Sequence, residues 1–208
     1  MTQGRFITFE GGEGTGKSTQ VLRLLERLRA RDLEVVQTRE PGGSPGAEEI
    51  RAIALNGDAG RWSPVTETLL MFAARSDHLE RTIRPALEAG RWVVCDRFAD
   101  SSRAYQGVGG GTPAAFIESL DAAIVGATQP DLTLIFDLPV EVGLQRAFGR
   151  GLFETRFESK GMAFHERLRR GFLDIAARYP ERCVVIDADG DPDAVEGRVW
   201  AAVEARLL

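Results

Sequence analysis

Residues 11–18 read GGEGTGKS, and this short string limits the folds open to the chain more than any other part of it. It follows an apolar run at residues 5–10 and opens a stretch with helical periodicity. Glycines let the backbone curl around phosphate groups, so that amide groups and the helix N-terminus face the negative charge. Strand, loop and helix in this order match the P-loop motif GxxxxGK[ST].

This motif predicts contacts to a nucleoside triphosphate and its magnesium ion. Lys17 is expected to reach the β and γ phosphates, and Ser18 to ligate Mg²⁺ through its hydroxyl. The predicted phosphate-binding residues are Gly11, Gly12, Glu13, Gly14, Thr15, Gly16, Lys17, Ser18 and Thr19. The motif alone does not separate a kinase from a GTPase, a motor or a partitioning ATPase. Asn56 is the only asparagine, so the chain lacks the NKxD motif of guanine-specific proteins, which disfavours a guanine switch protein.

Short apolar runs alternate with longer helical patterns along the chain. The predicted strands are residues 5–10, 34–38, 91–95, 132–137 and 183–187. The predicted helices are residues 16–31, 47–56, 64–89, 113–125, 140–148, 162–179 and 192–207. This rhythm predicts an α/β protein with the P-loop NTPase fold, in which a five-stranded parallel sheet carries helices on both faces. We expect a single domain over residues 1–208, with ligands at the carboxyl ends of the strands.

Composition narrows the classes of partner. The net charge is −5, and 24 arginines stand against two lysines. A mildly acidic chain makes a poor general binder of nucleic acid, because affinity for that backbone comes mainly from clustered positive charge. No apolar run approaches the roughly 20 residues that span a bilayer. We therefore expect no nucleic-acid or membrane partner, and a cytoplasmic enzyme.

Several further segments follow predicted strands in a fixed order. They are TREPGGSPGAEEIR at residues 38–51, DRFADSSRAYQG at 96–107, PDLTLIFDLPVEVGLQRA at 130–147, TRFE at 155–158 and FHERLRRGFL at 164–173. Together with the P-loop they resemble the bacterial thymidylate kinases over essentially the whole chain. The resemblance implies an enzyme of dTTP synthesis that passes the γ-phosphate of ATP to dTMP, giving dTDP. It also implies Mg²⁺ as cofactor and a homodimer formed through long helices.

The residues at the phosphate end of the acceptor have recognisable chemistry. Asp96 closes a predicted strand, where its carboxylate can hold the Mg²⁺ shell opposite Ser18. By resemblance Arg97 grips the acceptor phosphate, which its guanidinium matches bidentately, and Arg39 lies near the same end. Glu13 is expected to meet the acceptor sugar, because a carboxylate would repel phosphates.

The resemblance also assigns the other end of the acceptor. Phe72 is predicted to stack on thymine and Arg75 to reach a base carbonyl, although the offset from Arg75 puts the family's usual aromatic position on Met71. Around the sugar and the thymine edge it places Ser101, Ser102, Tyr105 and Gln106. Hydroxyl and amide groups there can donate and accept hydrogen bonds to a pyrimidine, and the Tyr105 ring would disfavour a 2′-hydroxyl.

A predicted lid, residues 149–161, carries the remaining positive charge. The P-loop interior contains no arginine, and the glycine run at residues 109–111 also lacks the arginine that the family often has there. Transition-state charge must then be neutralised from the lid, for which Arg150 and Arg156 are the candidates, with Arg146 beside them. Thr155 stands where the family usually has aspartate. The predicted catalytic set is Lys17, Asp96, Arg97, Arg150 and Arg156.

Two other functions remain open from the sequence. The chain could phosphorylate a different nucleoside monophosphate, or it could be a nucleotide-dependent switch or scaffold that only binds ATP. His78 and His165, the only histidines, are expected to serve packing or surface roles.

Overall fold

The computed structural model describes residues 4–58, 60–148 and 160–208, and a five-stranded sheet lies at its centre. The strands are β1 (Phe6–Gly11), β2 (Val35–Arg39), β3 (Trp92–Asp96), β4 (Leu132–Asp137) and β5 (Cys183–Asp187). All neighbours pair in parallel, in the order β2-β3-β1-β4-β5. The predicted α/β fold and its five parallel strands are confirmed.

Helices cover both faces of this sheet. They are α1 (Lys17–Arg29), α2 (Pro45–Leu55), α3 (Pro64–His78), α4 (Arg84–Glu88), α5 (Ala99–Ser102), α6 (Ala114–Ile124), α7 (Val140–Phe148), α8 (Met162–Arg178) and α9 (Pro192–Leu207). Successive β1 side chains point to opposite faces. Ile7 and Phe9 join a core cluster with α1 and α9, whereas Phe6 joins a cluster with Leu79 and Ile83. No helix within the described ranges is long and apolar enough to cross a membrane.

The predicted helix at residues 64–89 is interrupted by a widened turn. Leu79–Ile83 form a π-helical turn between α3 and α4. Pro85 lies just after it and has no N–H to donate to the preceding turn, where its ring would also clash with a carbonyl. A wider turn accommodates the proline without ending the helix.

A second helical segment lies where no helix was predicted. After β3 the chain forms α5 and continues as a π-helical turn, Arg103–Gly109. The buried side chains of this segment include Asp100, Ser102 and Gln106, which are polar. Ala99, Ala104 and Tyr105 are buried beside them, and an inward face that mixes polar and apolar residues gives no clear apolar periodicity.

Strand register brings the predicted site residues to one edge of the sheet. Asp96 at the end of β3 lies opposite Phe9 of β1 and Arg39 of β2. The P-loop leaves β1 at this same edge and leads into α1. The carboxyl ends of the strands therefore form the floor of the candidate site, as expected for an open parallel sheet.

Candidate active site

The P-loop lysine lies against the loop's own backbone. Lys17 Nζ donates to the carbonyl oxygens of Gly11 at 3.1 Å and Gly12 at 2.7 Å, and to Thr15 Oγ1 at 3.3 Å. Burial, together with the charge of Arg97, lowers the pKa of Lys17 to about 8. The lysine is thus folded over the concavity that its motif forms for phosphates.

Glycine backbone geometry shapes this concavity. Gly14 has a φ of 68°, and a Cβ atom built on it would collide with the carbonyl oxygen of Gly143 in α7. A side chain at Gly143 would also collide with backbone, because a Cβ atom built there would lie 2.6 Å from the carbonyl oxygen of Glu13. Thr19, the last predicted contact of the loop, is exposed on the first turn of α1.

Ser18 and Asp96 meet at the mouth of the P-loop, as the sequence predicts. Ser18 Oγ donates to Asp96 Oδ2 at 3.1 Å. The other carboxylate oxygen, Asp96 Oδ1, is buried and has no hydrogen-bond partner among the residues that the structure describes. A hydroxyl beside an unsatisfied carboxylate oxygen is a donor set suited to Mg²⁺.

Arg97 follows Asp96 in a left-handed backbone conformation, with a φ of 68°. Its Nη1 donates to the Gly11 carbonyl at 3.0 Å and to Ser101 Oγ at 3.2 Å, and its Nη2 to Glu13 Oε1 at 2.9 Å. A positive φ is uncommon for a residue other than glycine. The turn aims the guanidinium back across the P-loop.

Glu13 connects the P-loop to the helical segment after β3. Its Oε1 accepts from Arg97 and, at 2.6 Å, from the Tyr105 hydroxyl. Burial opposes ionisation of Glu13, but the charges of Arg97 and Lys17 outweigh it and hold the pKa at about 2. Glu13 is therefore an ionised carboxylate between the P-loop and the neighbouring cavity.

That neighbouring cavity has a volume of about 230 Å³. It is lined by Glu13, Arg39, Glu40, Pro41, Arg51, Leu55, Met71, Arg75, Asp96, Arg97, Phe98, Ser101, Tyr105 and Gln106. Charged groups lie at the end near the P-loop, and a buried arginine and amide lie at the far end. Its arginines and hydrogen-bonding groups suit a phosphorylated molecule.

Most residues predicted for the acceptor are brought together here, but two are not. Phe72 is 1% exposed and its ring packs 4.6 Å from the Arg75 guanidinium, while Met71 lines the cavity in its place. Neighbouring helix positions are rotated by about 100°, so only one of the pair can face the cavity. Ser102 is also absent from the lining, because its Oγ turns to accept from Arg75 Nη2 at 3.0 Å.

Four charged residues that line or support the cavity were not among the predicted contacts. Glu40 and Arg51 lie in the segment that carried the resemblance, and Glu67 accepts from Gln106 Nε2 at 3.0 Å. Glu10 sits under the turn at Arg97 and is described below. A charged residue inside an apolar strand is the signal that could have drawn attention to Glu10.

Glu10 is a fully buried carboxyl within β1. It accepts from the Phe98 amide at 2.8 Å, the Ser101 amide at 3.2 Å and Ser101 Oγ. Burial and the charge of Asp100 raise its pKa from 4.5 to about 7. Glu10 thus secures the start of α5, which carries the residues beside Arg97.

The lid is only partly within the described residues. Arg150, Arg156 and Thr155 lie outside them. Arg146, at the last turn of α7, donates to the Ala188 carbonyl at 3.3 Å and lies 3.5 Å from Asp189. Arg146 therefore contacts the loop before α9.

Three comparisons bear on the identity of this site. The sequence model of the thymidylate kinase family matches residues 9–199. A thymidylate kinase from Caulobacter vibrioides is 64% identical, over 100% of this chain and 99% of its own length. One from Bradyrhizobium diazoefficiens is 54% identical, over 99% and 91%.

A solved structure is similar over nearly the whole fold. The thymidylate kinase of Ehrlichia chaffeensis superposes with a TM-score of 0.78 at 33% identity, covering 97% of this chain and 99% of that one. Matches at this identity and coverage go beyond a shared fold, and they agree with the P-loop, the Ser18–Asp96 pair and the cavity beside them. The chain belongs to the thymidylate kinase family.

Proposed function

We propose that the chain transfers the γ-phosphate of ATP to dTMP, giving dTDP and ADP, as a step of dTTP synthesis in the cytoplasm. The observation that carries this proposal is the cavity that opens directly from the P-loop and holds Arg97 at its entrance. An acceptor lying there would point its phosphate at the triphosphate, in the arrangement that phosphoryl transfer requires.

The donor phosphates would bind to the P-loop amides and to Lys17. Lys17 Nζ must leave the carbonyls of Gly11 and Gly12 to reach the β and γ phosphates. The approaching negative charge favours this movement and keeps the lysine protonated. The transferred group needs little covalent help, so charge neutralisation is the main contribution of these residues.

Ser18 and Asp96 fit a magnesium ion. The unsatisfied Asp96 Oδ1 and the Ser18 hydroxyl supply oxygen ligands, which this ion prefers. Within the described ranges no cluster of three or more acidic, histidine or cysteine side chains could hold a metal by itself. This agrees with a cation bound largely by phosphates and water. When bound, Mg²⁺ neutralises charge on the β and γ phosphate oxygens.

The acceptor would extend from Arg97 to Arg75. Arg97, with Arg39 nearby, would bind its phosphate, and Glu13 and Tyr105 would lie along the sugar. At the far end Arg75 and Gln106 would meet the polar edge of thymine, and Met71 its face. Ser101 lies between the two ends, and Ser102 acts through Arg75.

The lid arginines remain the proposed source of further transition-state charge. The P-loop carries none, and Arg146 already contacts Ala188 and Asp189. We expect Arg150→Ala or Arg156→Ala to lower kcat by at least about tenfold, given the usual contribution of such arginines. Unchanged turnover in both variants would show that the lid does not take part.

A homodimer would form through α2 and α3. Ile53 of α2 and Val65 and Leu69 of α3 are large apolar side chains with more than 40% exposure, and the two helices pack together. Contiguous exposed apolar residues mark association surfaces. Sedimentation should show a dimer that Leu69→Glu converts to monomer, and a monomeric wild type would contradict the assignment.

The decisive experiment measures ADP release with and without dTMP. We expect dTMP to accelerate ADP release strongly, with slow hydrolysis in its absence because the closed site excludes water. Preference for AMP or CMP would assign the chain to another monophosphate, and release that no acceptor stimulates would favour a switch or scaffold. Titrating Mg²⁺ in the same assay tests the cation requirement.

A further inference from the structure

Arg75 is held in the wall of the acceptor cavity by three hydrogen bonds. It is 2% exposed, and its Nε donates to Glu40 Oε2 at 2.8 Å. Its Nη2 donates to Ser102 Oγ at 3.0 Å and to the Phe98 carbonyl at 3.1 Å. Its Nη1 is buried and has no acceptor among the described residues. The N–H groups of this one nitrogen are therefore unpaired in the described structure, at a residue that lines the cavity.

Glu40, which accepts a hydrogen bond from Arg75, is itself bonded to His78 on its other oxygen. Its Oε1 lies 3.0 Å from His78 Nδ1, and His78 Nε2 lies 2.6 Å from Thr38 Oγ1. A carboxylate can only accept, so His78 Nδ1 carries a proton, and in the neutral imidazole Nε2 then accepts from the Thr38 hydroxyl. We call Thr38, His78 and Glu40 the buried chain, and it ends on the guanidinium of Arg75.

The loop after β2 seals this buried chain. Gly43 has a φ of 86°, and a Cβ atom on it would collide with both Thr38 Oγ1 and His78 Nε2. His78 and Thr38 are almost fully buried, and they line no part of the acceptor cavity. Thr38 and His78 therefore act on the acceptor only through Glu40, which itself lines the cavity and holds Arg75.

We propose that Glu40 and His78 are positioning residues, which set the orientation of Arg75 and so the preference for a 4-oxo over a 4-amino pyrimidine. This rests on the proposed function, which places thymine beside Arg75. The free N–H of Arg75 complements a carbonyl oxygen, which thymine carries at its 4-position. It mismatches the amino group of cytosine, which is also a donor. Discrimination of this kind needs a fixed donor, because a mobile guanidinium could turn away from the amino group.

The test compares kcat/KM for dTMP with that for dCMP in Glu40→Gln, His78→Gln and His78→Asn. The amide of Gln reaches the position of Nε2 and loses Glu40, whereas that of Asn lies near Nδ1 and keeps it. We expect the dTMP to dCMP ratio to fall about tenfold in Glu40→Gln and His78→Gln, the size of one charged hydrogen bond. His78→Asn should retain more of the ratio, and the KM for ATP should stay within about twofold in all three variants.

A stability control separates positioning from loss of fold. Val199→Ala removes buried volume from the α1 and α9 cluster, far from the cavity, and should lower Tm without changing the base ratio. If a His78 variant does not fold, Thr38→Val removes the outer link of the buried chain and should lower the ratio less strongly.

The possible failures are distinguishable. A wild type inactive on dTMP overturns the proposed function, and this proposal with it. If the wild type is active but Arg75→Lys keeps the base ratio, thymine does not lie at Arg75 and the proposal is again overturned. If Arg75→Lys lowers the ratio while Glu40→Gln and His78→Gln keep it, the positioning role alone is wrong.

Discussion

The two ends of the acceptor cavity hold their cations in different ways. Beside the P-loop, where the phosphates are proposed to bind, Lys17 of the loop donates to the Gly11 and Gly12 carbonyls and Arg97 of the cavity to Glu13, so each cation occupies protein acceptors that a phosphate would have to replace. At the base end, Arg75 is bonded to a carboxylate behind it and keeps one nitrogen without an acceptor in the described structure.

This difference suggests that charge governs binding of the phosphate, whereas the fixed orientation of a donor governs binding of the base. A phosphate carries enough charge to exchange one set of hydrogen bonds for another, so the phosphate end can rearrange. A neutral base edge offers only a few hydrogen bonds. These favour binding only if the protein group that pairs with the base is already held in the right orientation. We therefore expect substitutions at the two ends to affect different measurements.

The largest effect is expected for Lys17→Met at the phosphate end. Loss of the cation should lower kcat by about 10²–10³, as when one preorganised transition-state donor is removed. Binding of dTMP without ATP should change little. Single-turnover kinetics would measure the loss of rate, and calorimetry would measure dTMP binding. A loss of dTMP affinity as large as the loss of rate would show that the two ends are not independent.

Arg97→Lys should give the next largest effect. It removes a bidentate donor from the acceptor phosphate, and the KM for dTMP should rise about 10- to 100-fold, as expected for hydrogen bonds to a charged group. Thymidine lacks that phosphate, so its inhibition constant should be unchanged in Arg97→Lys and raised in Arg75→Lys. An equal effect of both variants on thymidine would remove the distinction between the two ends.

The support under the phosphate end should respond to pH. The pKa of Glu10 is raised to about 7 in the folded state, so its contribution to stability is full below its unfolded value of 4.5 and lost as pH rises through 7. Between about pH 5 and pH 8 the wild type should lose about 2 kcal/mol more stability than Glu10→Gln. Melting curves recorded across this range would give the stability of both proteins at each pH. If Glu10 were already ionised at pH 5, the stability of the wild type and of Glu10→Gln would change with pH in parallel.

The smallest effect separates Met71 from Phe72. Met71→Ala should weaken thymidine inhibition by about tenfold or less, since it removes one apolar contact to the base, and should change Tm little. Phe72→Leu should instead destabilise the fold by about 1–2 kcal/mol because the ring is fully buried. If instead Phe72→Leu weakened thymidine inhibition and Met71→Ala destabilised the fold, Phe72 would be the residue that stacks on the base.

The sequence predicts much of this architecture because apolar strands and the P-loop are local patterns. Strand boundaries at β4 and β5 match the prediction residue for residue, and the Ser18–Asp96 contact follows from strand ends meeting at one sheet edge. The segment α5 and the turn after it were missed because their inward faces mix polar and apolar side chains.

Other residues could not be found because their roles depend on long-range contacts. His78, expected to serve packing or the surface, is buried between Thr38 and Glu40, 40 and 38 residues away in sequence. Glu10 is the one charged residue of an otherwise uncharged strand, so the strand pattern did not draw attention to it. Neither periodicity nor composition contains such pairings.

The contact between Gly14 and Gly143 has a consequence for how the protein can change over generations. Each backbone fills the space that the other's side chain would need, so replacing either glycine cannot be offset by shrinking its neighbour. The pair joins the phosphate loop to α7, which leads directly toward residue 149. Natural or laboratory variation should therefore leave this junction almost invariant.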